Sequence, residues 1–150
     1  MRLLTFACAL LAAASLAAAA PCPDCTPGTP LAERDRHSLV FEGIVFAVRD
    51  STLPRVRPDG PPPFIRLVGL HVRATWKGLP SRSLVVQLDP CARISPQPGE
   101  FWALYADSVD GQVVVPRCTR STLHTKATAE LDAFGAPASL VLPRSKRTRP

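Results

Sequence analysis

The alternation of apolar and polar positions marks out five strands and one helix. Ser38–Val48 (SLVFEGIVFAV) has Phe41, Gly43, Val45 and Ala47 on one face and Val40, Glu42, Ile44, Phe46 and Val48 on the other. Both faces are largely apolar, which predicts a central strand, and Gly43 within it predicts a bulge or bend. Phe64–Trp76 sets Leu70, Val72, Ala74 and Trp76 against Gly69, His71, Arg73 and Thr75. Leu84–Leu88 gives a third strand, and Phe101–Ala106 with Gln112–Val115 gives a hairpin around Asp110-Gly111. Thr122–Phe134 places Ala127, Leu131 and Phe134 at helical spacing, with Gly135 as its stop. Leu31–His37 predicts a short helical turn. Residues 49–63, Lys77–Pro80 and Asp89–Gly99 carry the Pro and Gly clusters of loops. Five closely spaced strands and a terminal helix predict a mainly β fold, a five-stranded OB-type barrel.

The chain has 150 residues, enough for one domain. Its 17 prolines and 8 glycines fit short strands and turns better than long helices. Arg2 followed by the apolar stretch Leu3–Ala20 reads as a secretory signal peptide over residues 1–19, with cleavage between Ala19 and Ala20. Its second half is alanine and Pro21, Pro23 and Asp24 follow at once, so stable membrane insertion is not expected. Residues 20–30 form a stiff, proline-rich N-terminal segment, residues 31–142 the barrel with its helix, and residues 143–150 a basic disordered tail. The formal charge is +6, but setting aside Arg2 and the tail's Arg144, Lys146, Arg147 and Arg149 leaves 13 Lys and Arg against 12 Asp and Glu. A nucleic-acid-binding fold needs a basic face of its own, so none is expected here.

Four cysteines remain after the leader: Cys22, Cys25, Cys91 and Cys118. An even number in a small exported domain predicts two disulfides, but spacing cannot choose among the three pairings. A local Cys22–Cys25 bond would staple almost nothing, whereas the long pairings close large loops. As a redox pair Cys22-Pro-Asp-Cys25 lacks the preceding strand and following helix that lower a thiol pKa. A zinc site would want a second close pair, and Cys91 and Cys118 stand singly. His37, His71 and His124 have no near ligand partner, and no motif sets a nucleophile beside a base, so neither a cofactor nor catalysis is expected. Asp107 and Asp110 read as turn residues, and Trp76 and Trp102 as core or semi-buried packing, with the Trp76 indole, at the end of its strand, partly exposed.

Several motifs nevertheless occur in a telling order: the N-terminal cysteine pair, Phe41-x-Gly43-x-Val45, Val72-x-Ala74-x-Trp76-Lys77-Gly78, Cys91 in a loop, Pro98-Gly99-Glu100-Phe101-Trp102 and Cys118-Thr119-Arg120. In this the chain resembles the netrin-like domain, specifically bacterial proteins similar to the N-terminal domain of tissue inhibitors of metalloproteinases, over about residues 22–135. The resemblance implies an OB-type barrel with the disulfides Cys22–Cys91 and Cys25–Cys118. It also implies a protein-contact surface at Pro21, Cys22, Pro23, Asp24, Cys25 and Thr26. In the animal inhibitors the first cysteine is N-terminal, and its amine and carbonyl oxygen chelate the protease zinc.

This chain departs from that pattern. Cleavage after Ala19 leaves Ala20-Pro21 ahead of Cys22, whose nitrogen is then an amide and a poor metal ligand. Two residues, Pro23 and Asp24, separate the first cysteines where the family usually has one, and a third disulfide has no counterpart. The expectation is a monomeric, secreted or periplasmic protein-binding module, with a zinc metalloproteinase as the partner the resemblance implies. The alternative is a cell-envelope interaction module that keeps the fold without inhibition.

Overall fold

The computed structural model describes residues 22, 24–52, 64–78 and 81–140. The expected leader, Pro21, Pro23, the expected turn at Asp59-Gly60 with the prolines after it, Leu79-Pro80 and the expected basic tail lie outside the described residues. The elements run α1 (Pro30–Arg36), β1 (Leu39–Thr52), β2 (Phe64–Lys77), β3 (Ser83–Leu88), β4 (Phe101–Val109), β5 (Gln112–Val115), β6 (Thr122–Leu123), α2 (His124–Ala133) and β7 (Ser139–Leu140).

Strand order β1-β2-β3-β5-β4, with β4 pairing back onto β1, closes a five-stranded barrel of OB type. All pairings are antiparallel except β3 with β5, which is parallel. β1 is central, as its pattern predicts: Val40–Ile44 is bonded to β4 on one edge and to β2 on the other, and on its outer face Val40 and Glu42 are buried although Phe46 is exposed. Closure needs bends, and the register slips between Glu42 and Gly43 and again between Val45 and Ala47. A Cβ on Gly43 would stand 3.0 Å from the His71 carbonyl oxygen, so the close approach of β2 at the bend requires the missing side chain. The β4–β5 hairpin turns on Asp110 (φ 49°) and Gly111 (φ 77°), a two-residue turn with both φ positive that matches the strand twist.

The barrel interior is filled by Phe41, Val45, Val68, Leu70, Val72, Val86, Leu104 and Val115, all at most 2% exposed. Each contributes about 1.5–3 kcal/mol by burial. The outer face of β4 is covered as well: Ala103 packs with Ala127 and Leu131 of α2, Trp76 and Phe134. Gly135, at φ 77°, ends the helix.

Several expectations are corrected. Arg49–Thr52 continue β1 instead of opening a loop, because β2 pairs with them through Phe64–Leu67. Thr122–Leu123 form a short strand on β4 and the helix begins at His124. Simple alternation puts Trp76 inside, but Arg73 and Trp76 are both skipped in the β1–β2 register. Thr75, opposite Phe41, turns inward in place of Trp76, and its buried Oγ1 has no hydrogen-bond partner among the described residues. Trp76 lies outside against α2, where its Nε1–H donates to the Gly135 carbonyl at 3.0 Å. Trp102 is a core residue, as expected.

Candidate functional site

The site is built where the N-terminal segment crosses one end of the barrel. Cys22 is joined to Cys91 and Cys25 to Cys118, closing sequence separations of 69 and 93 residues. This is the pairing implied by the resemblance. The two anchors come from different loops. Cys91 sits in the turn after β3, where its N–H donates to Asp89 Oδ1 at 2.7 Å and the Ala92 N–H to the Asp89 carbonyl at 2.8 Å. That turn is tied to β5 by the Asp89 N–H donating to the Val115 carbonyl at 3.0 Å. Cys118 follows β5 in the left-handed region, at φ 66°, a conformation that costs a β-carbon residue about 1 kcal/mol and that closure of the bridge sustains.

Cys22, Asp24 and Thr26 are exposed and Cys25 is half-buried. These residues of the expected contact set form one solvent-facing strip; Pro21 and Pro23 lie outside the described residues. Arg93 Nη2 donates to Asp24 Oδ1 at 2.8 Å across this strip, but the Asp24 side chain is fully exposed, so the pair adds little stability. Under the strip lies a cavity of about 180 Å³, lined by Cys25, Pro27, Ala92, Ile94, Pro116 and Ser121 among others.

A buried polar cluster fixes the far end of the segment. Thr29 caps α1, its Oγ1 accepting from the Ala32 N–H, and Pro30 opens the helix. One turn in, Glu33 is 1% exposed. Its Oε1 accepts the Gly28 N–H at 2.9 Å and its Oε2 accepts from Arg36 Nη2 at 3.1 Å. The His37 ring is 3% exposed, with Nε2 3.3 Å from Glu33 Oε2 and Nδ1 2.9 Å from Asp107 Oδ2. The other oxygen of Asp107 accepts the Ser38 N–H at 2.9 Å. Burial pushes the Asp107 carboxyl up, but the Ser38 and His37 hydrogen bonds outweigh it and hold the group below the usual carboxylate range.

Further ties surround this cluster. Lys77 Nζ donates to the Arg34 and Asp35 carbonyls at the end of α1, at 3.0 and 2.7 Å. Arg120 Nη1 donates to the Gly28 carbonyl at 3.1 Å while its guanidinium pairs with Glu130. The Tyr105 hydroxyl donates to Glu130 Oε2 at 3.3 Å; burial, then the neighbouring carboxylate, pushes it well above the usual phenol range.

Asp107 is therefore a β4 residue that clamps the start of β1, not the turn residue that its place near Asp110-Gly111 suggests. Glu33 and His37 form a pair that metal-ligand or nucleophile spacing does not reveal. Their four-residue spacing within LAERDRH is the signal that sets both on one helical face. Elsewhere His71 bonds to Ser83 and stacks on exposed Phe46, and His124 pairs with buried Glu42. Among the described residues no three His, Cys, Asp or Glu side chains gather as metal ligands. With its four cysteines bonded in pairs, the site presents an exposed strip anchored covalently at Cys22 and Cys25.

The chain matches no family model, and none of the curated proteins with which it was compared matches it.

Proposed function

We propose that this chain is an exported protein-binding module that meets its partner through the stapled strip from Cys22 to Thr26, in the manner of the metalloproteinase-inhibitor domains it resembles. One observation carries the reading. Two cysteines three positions apart are bonded to two different loops of a closed barrel, so Cys22 and Cys25 are anchored covalently while Cys22, Asp24 and Thr26 stay exposed. A partner meeting such a strip does not have to order it, and preorganisation of this kind lowers the cost of association. Export is supported by the two disulfides, which persist in oxidising compartments.

Within this reading the residues ahead of Cys22 decide what the contact does. A free amine on Cys22 would chelate the zinc of a metalloproteinase; Ala20-Pro21 retained ahead of it turns that nitrogen into an amide. The retained pair favours the second reading, an envelope module that binds a protein partner without inhibiting a protease.

The test is to purify the exported protein, sequence its N-terminus, and assay it at micromolar concentration against a panel of zinc metalloproteinases, alongside affinity capture from the same compartment. Inhibition, or specific capture that is lost when Asp24 and Thr26 are both replaced by bulky charged residues, supports contact through the strip. Capture indifferent to those replacements, or neither capture nor inhibition, contradicts it.

A further inference from the structure

The two staples differ in what holds their ends together once the sulfur bond is broken. Attack on a disulfide requires a thiolate to reach one of its sulfurs, so access governs which bond opens first. Cys22 is exposed, and the next described residue, Asp24, has a fully exposed side chain. The polar tie from this end to the Cys91 loop is the solvated Asp24–Arg93 pair.

Cys25 and Cys118 are both half-buried, as Cys91 is, and line the cavity under the strip, so only the first staple has an exposed cysteine, Cys22. Beyond Cys25 the chain is tied down at once. The Gly28 N–H donates to Glu33 and its carbonyl accepts from Arg120, Arg36 Nη2 donates to the Cys118 carbonyl at 3.4 Å, and α1 is held by Lys77 and by the His37–Asp107 contact. If Cys25–Cys118 were opened, these contacts would keep the two thiols neighbours, and a high effective concentration favours reclosure. Nothing comparable keeps Cys22 beside Cys91 among the described residues.

From this we infer that the strip is a graded redox release: a dithiol reductant opens Cys22–Cys91 first and leaves Cys25–Cys118 closed, freeing the tip of the segment while α1 and the barrel stay in place. The step is a two-electron exchange. One thiolate of the reductant attacks a sulfur of the Cys22–Cys91 bridge, giving a mixed disulfide and a free thiolate. The reductant's second thiolate then displaces the remaining protein sulfur, and both protein thiolates take up protons. The reductant leaves as its cyclic disulfide, two electrons poorer, and the protein gains two thiols. The inference rests on the bridges and their surroundings, not on the proposed contact function, and its test involves no partner.

The oxidised, processed protein is incubated with graded dithiothreitol, quenched in acid, alkylated and mapped by peptide mass spectrometry. The expected result is an intermediate with Cys22 and Cys91 alkylated and Cys25–Cys118 intact, formed roughly tenfold or more faster than the four-thiol form, with the near-ultraviolet spectrum of the folded barrel retained. A protein with Cys22 and Cys91 both changed to Ser should fold with Cys25–Cys118 closed and lose it only at the slower rate. Opening of Cys25–Cys118 first, loss of both bridges together, or an intermediate with a Cys22–Cys25 bond and alkylated Cys91 and Cys118 would overturn the inference. The last product would show that three-residue spacing lets Cys22 attack the second bridge faster than the native contacts protect it.

Discussion

The barrel wall and the N-terminal segment are held by opposite means. In the wall, Val40, Phe41, Val68, Leu70, Val86, Leu104 and Val115 are wholly withdrawn from water, and the strands close on themselves. In the segment, Cys22, Asp24, Thr26, Gly28 and Thr29 remain exposed, and order comes from two sulfur bridges and a handful of polar contacts. The difference teaches how a protein can anchor a surface without hiding it. A strip fixed by apolar burial has used up its apolar groups, whereas one fixed by covalent bonds at its base still presents its side chains to solvent.

If the wall owes its stability to burial, cutting it should cost most. Phe41→Ala should lower unfolding free energy by about 4 kcal/mol, read from the urea midpoint, because the filled interior cannot collapse around the space left behind. Removing a staple should cost less. Replacing Cys25 and Cys118 together by Ser should lower it by about 3 kcal/mol, below the chain-entropy figure for so long a loop, since the docked α1 already restricts the ends. Amide exchange in β1 and β4 should stay protected in that variant while Gly28 exchanges faster.

Smaller changes probe each side singly. Glu33→Gln should cost about 1–2 kcal/mol, with faster exchange at the Gly28 amide and none of the barrel amides affected. Thr75→Val should raise stability by about 1 kcal/mol, since it removes a buried hydroxyl that has no partner among the described residues while keeping the shape. The least effect, and the one that depends on pH, belongs to Asp107→Asn. The folded Asp107 carboxyl has a pKa below its ordinary 3.8. Its contribution is therefore complete above that value and drains away as pH falls through the lower folded one. The stability gap between the native protein and Asp107→Asn should be full near neutrality and close in strong acid; a gap that widens on acidification would contradict the assigned contacts.

How far the sequence led is clearest at individual residues. The five barrel strands and α2 follow from apolar alternation and helical spacing, because each strand buries one face in the interior and turn residues such as Asp110-Gly111 have few alternatives. Trp76 shows where alternation fails: the one residue skipped at Arg73 in the β1–β2 register inverts the faces that follow, so Thr75 turns inward and Trp76 outward, and such a slip arises from closing the barrel, not from the local pattern. Asp107 and His37 lie 70 residues apart, so their meeting depends on tertiary pairing of β1 with β4, which no local spacing encodes. At the N-terminal strip the four cysteines are evident by count, two in the strip and two in the loops that anchor it, but their pairing follows only from the resemblance, since sequence spacing permits three arrangements.

The arrangement of the site stands or falls on which sulfurs are joined. Peptide mapping of the fully oxidised protein under non-reducing conditions should yield two cross-linked pairs, one containing Cys22 with Cys91 and the other Cys25 with Cys118. A peptide carrying a Cys22–Cys25 bond, or free thiols at all four positions, would mean that the N-terminal segment is not fastened across the barrel.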